Sequence, residues 1–170
     1  MGRVYAEMNI FVTSPCPSES AKALDNKRVN KMLLESAQML ATALLAHNAP
    51  PEALPETQQG NPYKATHRNH PCSIWARETR ENYLWLVDHA EALHAEFKTA
   101  YGREHWVGQF ITRLRDSSRF IPQGDLTAFA NCSLYKGGDT VQQYRQTMKE
   151  KWAVDVRPPD WKNRSKPEWF

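Results

Sequence analysis

Ser20-Ala21-Lys22-Ala23-Leu24-Asp25-Asn26-Lys27-Arg28-Val29-Asn30-Lys31-Met32-Leu33-Leu34-Glu35-Ser36-Ala37-Gln38-Met39-Leu40-Ala41-Thr42-Ala43-Leu44-Leu45-Ala46-His47 contains neither Pro nor Gly, and Ala, Leu, Met and Lys dominate it. That composition predicts a helix capped by Ser18 or Ser20 and running to about His47, ahead of Pro50-Pro51. Val29, Met32, Leu33, Ser36, Met39, Leu40, Ala43 and Leu44 follow the i, i+3, i+4, i+7 spacing of one buried stripe. Traced back one and two turns, the same face reaches Asp25, Asn26 and Lys22. A core-directed face that turns polar at one end must meet water, a partner side chain or a ligand there, because unpaired buried polar groups are costly.

The flanking segments complete an all-α reading. Met8-Asn9-Ile10-Phe11-Val12-Thr13, closed by Ser14-Pro15-Cys16-Pro17, has the length of a buried extended segment, with Met1 to Glu7 as an appendage. Pro50 to Gly60 is a polar, proline-rich connection expected to be mobile. A second helix is expected from Pro71 to Tyr101, stopped by Gly102, with Leu86, Ala90, Leu93 and Phe97 as its stripe. Extended backward, that stripe gives Asn82, Thr79 or Glu78, and Trp75, so the polar ends of the two long helices are expected to converge. A third helix follows from about Glu104 to Ser117, and Asp139 caps a last one through Trp152. The expectation is a single domain over residues 1–170: a bundle of about four helices, with a short extended N-terminal segment and an irregular aromatic-basic tail over 157–170.

With 170 residues, 41% hydrophobic and 24% charged, the chain can bury a real core and is neither membrane-spanning nor disordered in composition. No apolar run approaches the roughly 20 residues of a membrane span. Cys16, Cys72 and Cys132 are odd in number and widely spaced, which points to a reducing, cytoplasmic setting rather than a disulfide framework. A pI near 8.8 permits a nucleic-acid partner without requiring one.

Local clustering is more telling than bulk charge. Residues 61–80 hold Lys64, Arg68, Arg77 and Arg80 against Glu78 alone, a net +3 that equals the formal net charge of the whole chain. His67, Asn69 and His70 lie in the same loop, just before a helix N-terminus, a combination suited to phosphate. On the first helix, Lys27, Arg28 and Lys31 form a second cationic group, with Glu35 one turn beyond Lys31. A solvated face with a Lys31–Glu35 pair accounts for these residues equally well. The functional reading has the cations hold phosphate while Glu35 or Asp25 moves a proton or Lys31 acts as an amine nucleophile. His67, His70 and Cys72 are metal-ligand types, but Cys16 and Cys132 stand isolated in sequence, so no metal and no other cofactor is expected. Cys72 is not favoured as a nucleophile, and Trp75 and Trp85 are expected in the core. Trp161, Trp169 and Phe170 among Lys162, Arg164 and Lys166 either lie across the core or stack on bases.

With these features in place, the chain resembles the bacteriophage pyrimidine-dimer DNA glycosylases of the endonuclease V type. It is also similar to a group of small uncharacterised phage proteins that share a start like Met8-Asn9-Ile10-Phe11, together with Asn69-His70-Pro71, Trp75 with Arg77, Asn82-Tyr83, Tyr144-Arg145 and Trp161-Lys162-Asn163-Arg164 with Trp169. In the glycosylase family an α-amine at the chain start attacks the sugar carbon, a first-helix glutamate supports the chemistry, and arginines of that helix hold the DNA backbone. Here the matching run is preceded by Met1 to Glu7, so an α-amine would come from Gly2 or from a shorter translated form, and the nucleophile does not carry over directly. Glu35 lies further along the helix than the family pattern places its acid, with Asp25 as the other option. Arg28 matches the phosphate-holding arginines in kind.

The resemblance and the charge pattern together imply a monomeric, cytoplasmic protein of a phage-infected bacterial cell that acts on DNA or a pyrimidine nucleotide. Lys31, Glu35, Asp25 and His70 are the catalytic candidates. Asn26, Lys27, Arg28, His67, Arg68, Asn69, Arg77, Asn82, Arg145, Trp161, Lys162 and Arg164 are the phosphate and nucleic-acid candidates. A small glycosylase/lyase is the leading expectation. The rivals are a transferase that adds an amine or amino acid to an activated 5-hydroxymethyl pyrimidine, and a non-catalytic nucleic-acid-binding module.

Overall fold

The two long helices expected from the sequence are each broken once, and both breaks have tertiary causes. In the computed structural model, which describes residues 8–170, the first becomes α1 (Pro17–Ala23) and α2 (Asn26–Ala46). Leu24 and Asp25 between them are extended (ψ 142° and 161°). Their polar groups have partners outside the helix: the Leu24 carbonyl accepts from Arg164 Nη1 at 2.8 Å, and the Asp25 carboxylate accepts from Trp152 Nε1 at 2.8 Å. The second becomes α3 (Pro71–Glu78) and α4 (Arg80–Tyr101). Thr79 is extended and caps α4 by accepting from Asn82 N–H, while the next free N–H groups, of Arg80 and Glu81, donate to the carbonyls of Pro122 and Gly124. Gly102, at φ 68°, ends α4 as expected.

The third expected helix divides into a 3-10 turn (Trp106–Phe110), α5 (Ile111–Asp116) and a further 3-10 turn (Ser117–Phe120). Gly108 lets the first part pack closely on α4, because a Cβ there would lie 2.1 Å from the His94 imidazole. The last helix, α6 (Thr140–Val154), has its expected cap, Asp139 accepting from Gln142 N–H at 2.9 Å. The architecture is therefore all-α, with six α-helices among the described residues rather than about four, and with no strand there beyond the isolated Glu56–Pro62 bridge. No described helix is long and apolar enough to cross a membrane. The appendage expected over Met1 to Glu7 lies outside the described residues.

The predicted stripes are the core. Val29, Leu33, Met39, Leu40, Ala43 and Leu44 of α2 face Leu86, Ala90, Leu93 and Phe97 of α4, and all are at most 1% exposed. The connection after α2 is pinned by buried Ala53 and Leu54, while Gln58 to Asn61 stand exposed at its turn. Trp75 and Trp85 are buried against each other and Phe129, which places them in the core as expected.

The tail folds back over the start of α2. Trp161, Trp169 and Phe170 surround Trp152 of α6 at ring separations of 5.0, 5.7 and 4.7 Å. Arg164, its side chain 2% exposed, donates to Glu96, Leu24, Asn26 and Lys22, tying the beginning of α2 to the later half of α4. At the other end, His47 after α2 bonds the Arg77 carbonyl, just before α4 begins. The long helices are thus antiparallel, and the polar tips at Asn26 and Asn82 lie at opposite ends of the pair. This corrects the expected convergence. It follows that Arg164→Ala destabilises the fold by about 3 kcal/mol or more, since it strands the partly buried Glu96 and three further acceptors. Lys162→Ala, at an exposed side chain, stays within about 0.5 kcal/mol of the parent. Urea unfolding of both variants checks the contrast.

Candidate active site

The candidate site lies halfway along α2, where the short N-terminal segment is inserted between α2 and α3. Met8, Ile10, Phe11 and Val12 are all at most 5% exposed, yet among the described residues this segment has no sheet partner for its backbone. It folds on itself instead. Asn9 Oδ1 accepts from Phe11 N–H at 2.8 Å, Ser20 Oγ donates to the Phe11 carbonyl, and Phe11 adopts φ 39°, a left-handed conformation that is strained for an aromatic residue.

Glu35 faces this segment from α2. It is 9% exposed, and its Oε1 is one of the few buried side-chain atoms without a hydrogen-bond partner among the described residues. Burial pushes its carboxyl from the ordinary 4.5 up to about 7, while the nearby Lys31 ammonium and the backbone N–H of Asn9 pull the other way. A carboxyl that titrates near neutrality, beside an amine one turn away, suits general acid/base work. Lys31 itself is exposed.

On the other side of the segment, the Ile10 N–H points at the Cys72 sulfur. Cys72 opens α3, and His70 Nδ1 accepts from its N–H at 3.1 Å as the helix cap. Cys72 Sγ lies 2.7 Å from Cys132 Sγ. Hydrogen bonding from Cys72 to Cys132 raises the Cys72 thiol and lowers that of Cys132, and burial adds to the rise at Cys72. Asn9 Nδ2 donates to the Cys132 carbonyl, and Cys132 N–H donates to Tyr144 Oη. Glu35, Asn9, His70, Cys72, Cys132 and Tyr144 are therefore linked through one buried segment. Sequence reading placed Glu35, Lys31 and His70 among the candidates. It missed Asn9, whose signal was its place in a buried extended run, and Cys132, which is 60 residues from Cys72 and gave no local signal.

The other candidates divide sharply. Asp25 is 2% exposed and held by Trp152 and Arg28, remote from Glu35 along α2, so it serves as a buried anchor. Arg28 makes a bidentate pair with Asp155 at 2.8 and 3.0 Å. Asn26 is bound to Asp160, Lys162 and Arg164 of the tail, and Arg164 has donors at Nε, Nη1 and Nη2 all in use. Asn82 is wholly buried and bridges Trp75 and Thr127. Arg145 donates to Thr13 and covers the Trp169 ring, and Trp161 Nε1 donates to the Ala23 carbonyl. Arg77 donates to the Arg68 carbonyl. These side chains hold the fold together, and the tail aromatics pack on Trp152, with Trp161 and Trp169 half-buried and Phe170 exposed. Lys27, Lys31, His67, Arg68, Asn69 and Lys162 remain exposed. His67, at φ 50°, bends the loop so that Thr66 pairs with Thr42 of α2, which lays the cationic loop alongside that helix.

Residues 8–104 match the pyrimidine dimer DNA glycosylase family. The chain belongs to this family. No curated protein and no solved structure matches it. The family match begins at Met8, the first residue of the inserted segment, and takes in Glu35, Lys31, His70 and Cys72, but not Cys132 or Tyr144. Membership in a glycosylase family implies a DNA substrate.

The raised carboxyl has a consequence for stability. A group whose folded-state pKa lies above its unfolded value contributes fully at low pH and loses that contribution as pH rises through the folded value. Between about pH 4.5 and 8, the parent should lose on the order of 2 kcal/mol at this site that Glu35→Gln does not lose. Urea unfolding at pH 5 and pH 8 should therefore show E35Q gaining on the parent as pH rises. A constant difference between them would place the carboxyl at an ordinary pKa.

Proposed function

We propose that this chain is a DNA glycosylase/lyase in which Glu35 moves protons for an amine that attacks the sugar carbon of a pyrimidine lesion. The observation that carries the reading is Glu35 itself: buried, lacking a partner at Oε1 among the described residues, titrating near 7, and set against the segment that resembles the start of the family's chain. The amine nitrogen adds to C1′ as the glycosidic bond breaks and the base departs with the bonding electrons; Glu35 then takes a proton from that nitrogen and passes it to O4′ as the C1′–O4′ bond opens, giving a Schiff base that lyase chemistry can carry on to strand cleavage. Lys31 Nζ, one turn from Glu35, is the amine we assign in the chain as it stands. A form of the chain starting at Met8 would offer an α-amine beside the same carboxyl. Lys27, Arg68 and Lys162, all exposed, are the phosphate contacts of this proposal.

Support for this reading comes from the family and from the carboxyl, and three measurements test it. On DNA carrying a cyclobutane pyrimidine dimer, single-turnover excision should rise with pH along a limb centred near 7. E35Q should lose that limb and at least roughly a hundredfold in rate. Borohydride should trap a covalent protein–DNA adduct that Lys31→Ala abolishes; an adduct surviving in K31A would assign the amine to the chain start. Absence of any adduct, together with a new nucleoside mass in treated DNA, would favour a base-modifying transferase instead. Alanine at Lys27, Arg68 or Lys162 should each reduce the slope of log affinity against log salt by about one.

A further inference from the structure

His70, Cys72 and Cys132 each present one ligand atom, and these three atoms lie within 4.8 Å of one another. We propose that they form a binding site for a borderline-soft divalent cation of the Zn²⁺ class, with these three as its protein ligands among the described residues. The site is separate from the amine chemistry proposed above and does not depend on it.

The donor set favours that class of ion. Two sulfurs and one imidazole, with no carboxylate or carbonyl among them, select against Mg²⁺ and Ca²⁺ and in favour of Zn²⁺. Cys₂His is a ligand set that zinc sites use. Two separate parts of the chain hold the three residues, His70 and Cys72 together at the start of α3 and Cys132 apart from them. His70 precedes α3, Cys72 is in its first turn, and Cys132 is held through its N–H by Tyr144 and through its carbonyl by Asn9. Such outer hydrogen bonds orient ligands around a metal. Cys72 is wholly buried, while His70 and Cys132 are half-buried, so an ion would be reached from one side only.

The sulfurs sit 2.7 Å apart, closer than two ligands of one tetrahedral ion, which at a metal–sulfur distance of roughly 2.3 Å stand about 3.8 Å from each other. Binding therefore requires them to separate by about 1 Å. Cys132 lies in the irregular segment between the last 3-10 turn and α6, where a side-chain rotation can supply that movement without disturbing a helix. On binding, the thiols release their protons to solvent and no oxidation state changes.

The test uses the full-length, fully reduced protein titrated with Co²⁺ and then with Zn²⁺. The expected result is one Co²⁺ per chain, with a thiolate-to-cobalt charge-transfer band and tetrahedral visible bands, all displaced by Zn²⁺. Cys16→Ser, at an exposed thiol away from the cluster, should leave the spectrum unchanged. Cys132→Ser, at a half-buried position that spares the core, should remove the charge-transfer band or weaken Co²⁺ binding at least roughly tenfold, and His70→Gln should weaken it similarly. Circular dichroism of both variants separates loss of binding from loss of fold, so the wholly buried Cys72 need not be replaced. No charge-transfer band in the reduced parent, or Co²⁺ binding in C132S as tight and with as strong a band as in the parent, would overturn the site. So would a reduced protein that takes no Co²⁺ and instead closes Cys72 to Cys132 with a small disulfide as oxidant.

Discussion

The constraint on which the rest depends is the burial of Met8 to Val12. This stretch of non-helical chain enters the core with no sheet among the described residues to receive its backbone groups, and an unpaired buried N–H or carbonyl costs as much as a lost hydrogen bond. The fold meets this with side chains. Asn9 serves Phe11 N–H, Ser20 serves the Phe11 carbonyl, the Cys72 sulfur faces Ile10 N–H, and Glu35 faces Asn9 N–H. The groups with chemical potential in this molecule are the same ones that solvate the inserted segment. That explains why a carboxylate and a thiol, Glu35 and Cys72, occupy positions where helix packing alone would select Leu or Ala.

Helix periodicity was legible because it records a local rule: the stripes of α2 and α4 are the residues that meet in the core. Helix breaks were not, because nothing local forbids helix at Leu24-Asp25 or at Thr79. What interrupts the helix there is a guanidinium 140 residues away in one case and the carbonyls of residues 122 and 124 in the other. The antiparallel arrangement of α2 and α4 was equally out of reach, since one hydrophobic stripe fits a neighbour running in either direction. For the site, Glu35 could be picked out as an acid on the right helix, but its burial depends on the Met8 to Val12 segment, far earlier in the chain.

Cations were the least legible residues. Arg28, Arg145 and Arg164 have the composition of phosphate contacts and the surroundings of structural ties, and sequence cannot tell the two apart because a guanidinium satisfies a carboxylate, a carbonyl or a phosphate with the same fork of donors. Lysine offers a partial guide in hindsight. Lys27, Lys31 and Lys162 are exposed, as expected for a strongly hydrated ammonium, whereas the arginines with acidic or carbonyl partners were drawn in. The aromatic tail follows the same logic. Trp152 on α6 gives Trp161, Trp169 and Phe170 an apolar surface within the chain, which orders the tail while leaving Phe170 exposed.

The site draws on two parts of the chain with different relationships to the family. Glu35, Asn9, His70 and Cys72 fall within the matched residues, while Cys132 and Tyr144 lie beyond residue 104. The later part does not merely cap the bundle: Tyr144 Oη accepts from the Cys132 N–H and donates to the Ala130 carbonyl, so α6 positions the irregular segment that brings Cys132 against Cys72. A chain holding only the matched region would keep the carboxyl and its extended neighbour but lose one sulfur and the side chain that fixes it. The matched and unmatched parts thus contribute different chemistry to adjoining positions: a proton-moving carboxyl from the first, and from both together a thiol pair facing the opposite side of the same buried segment.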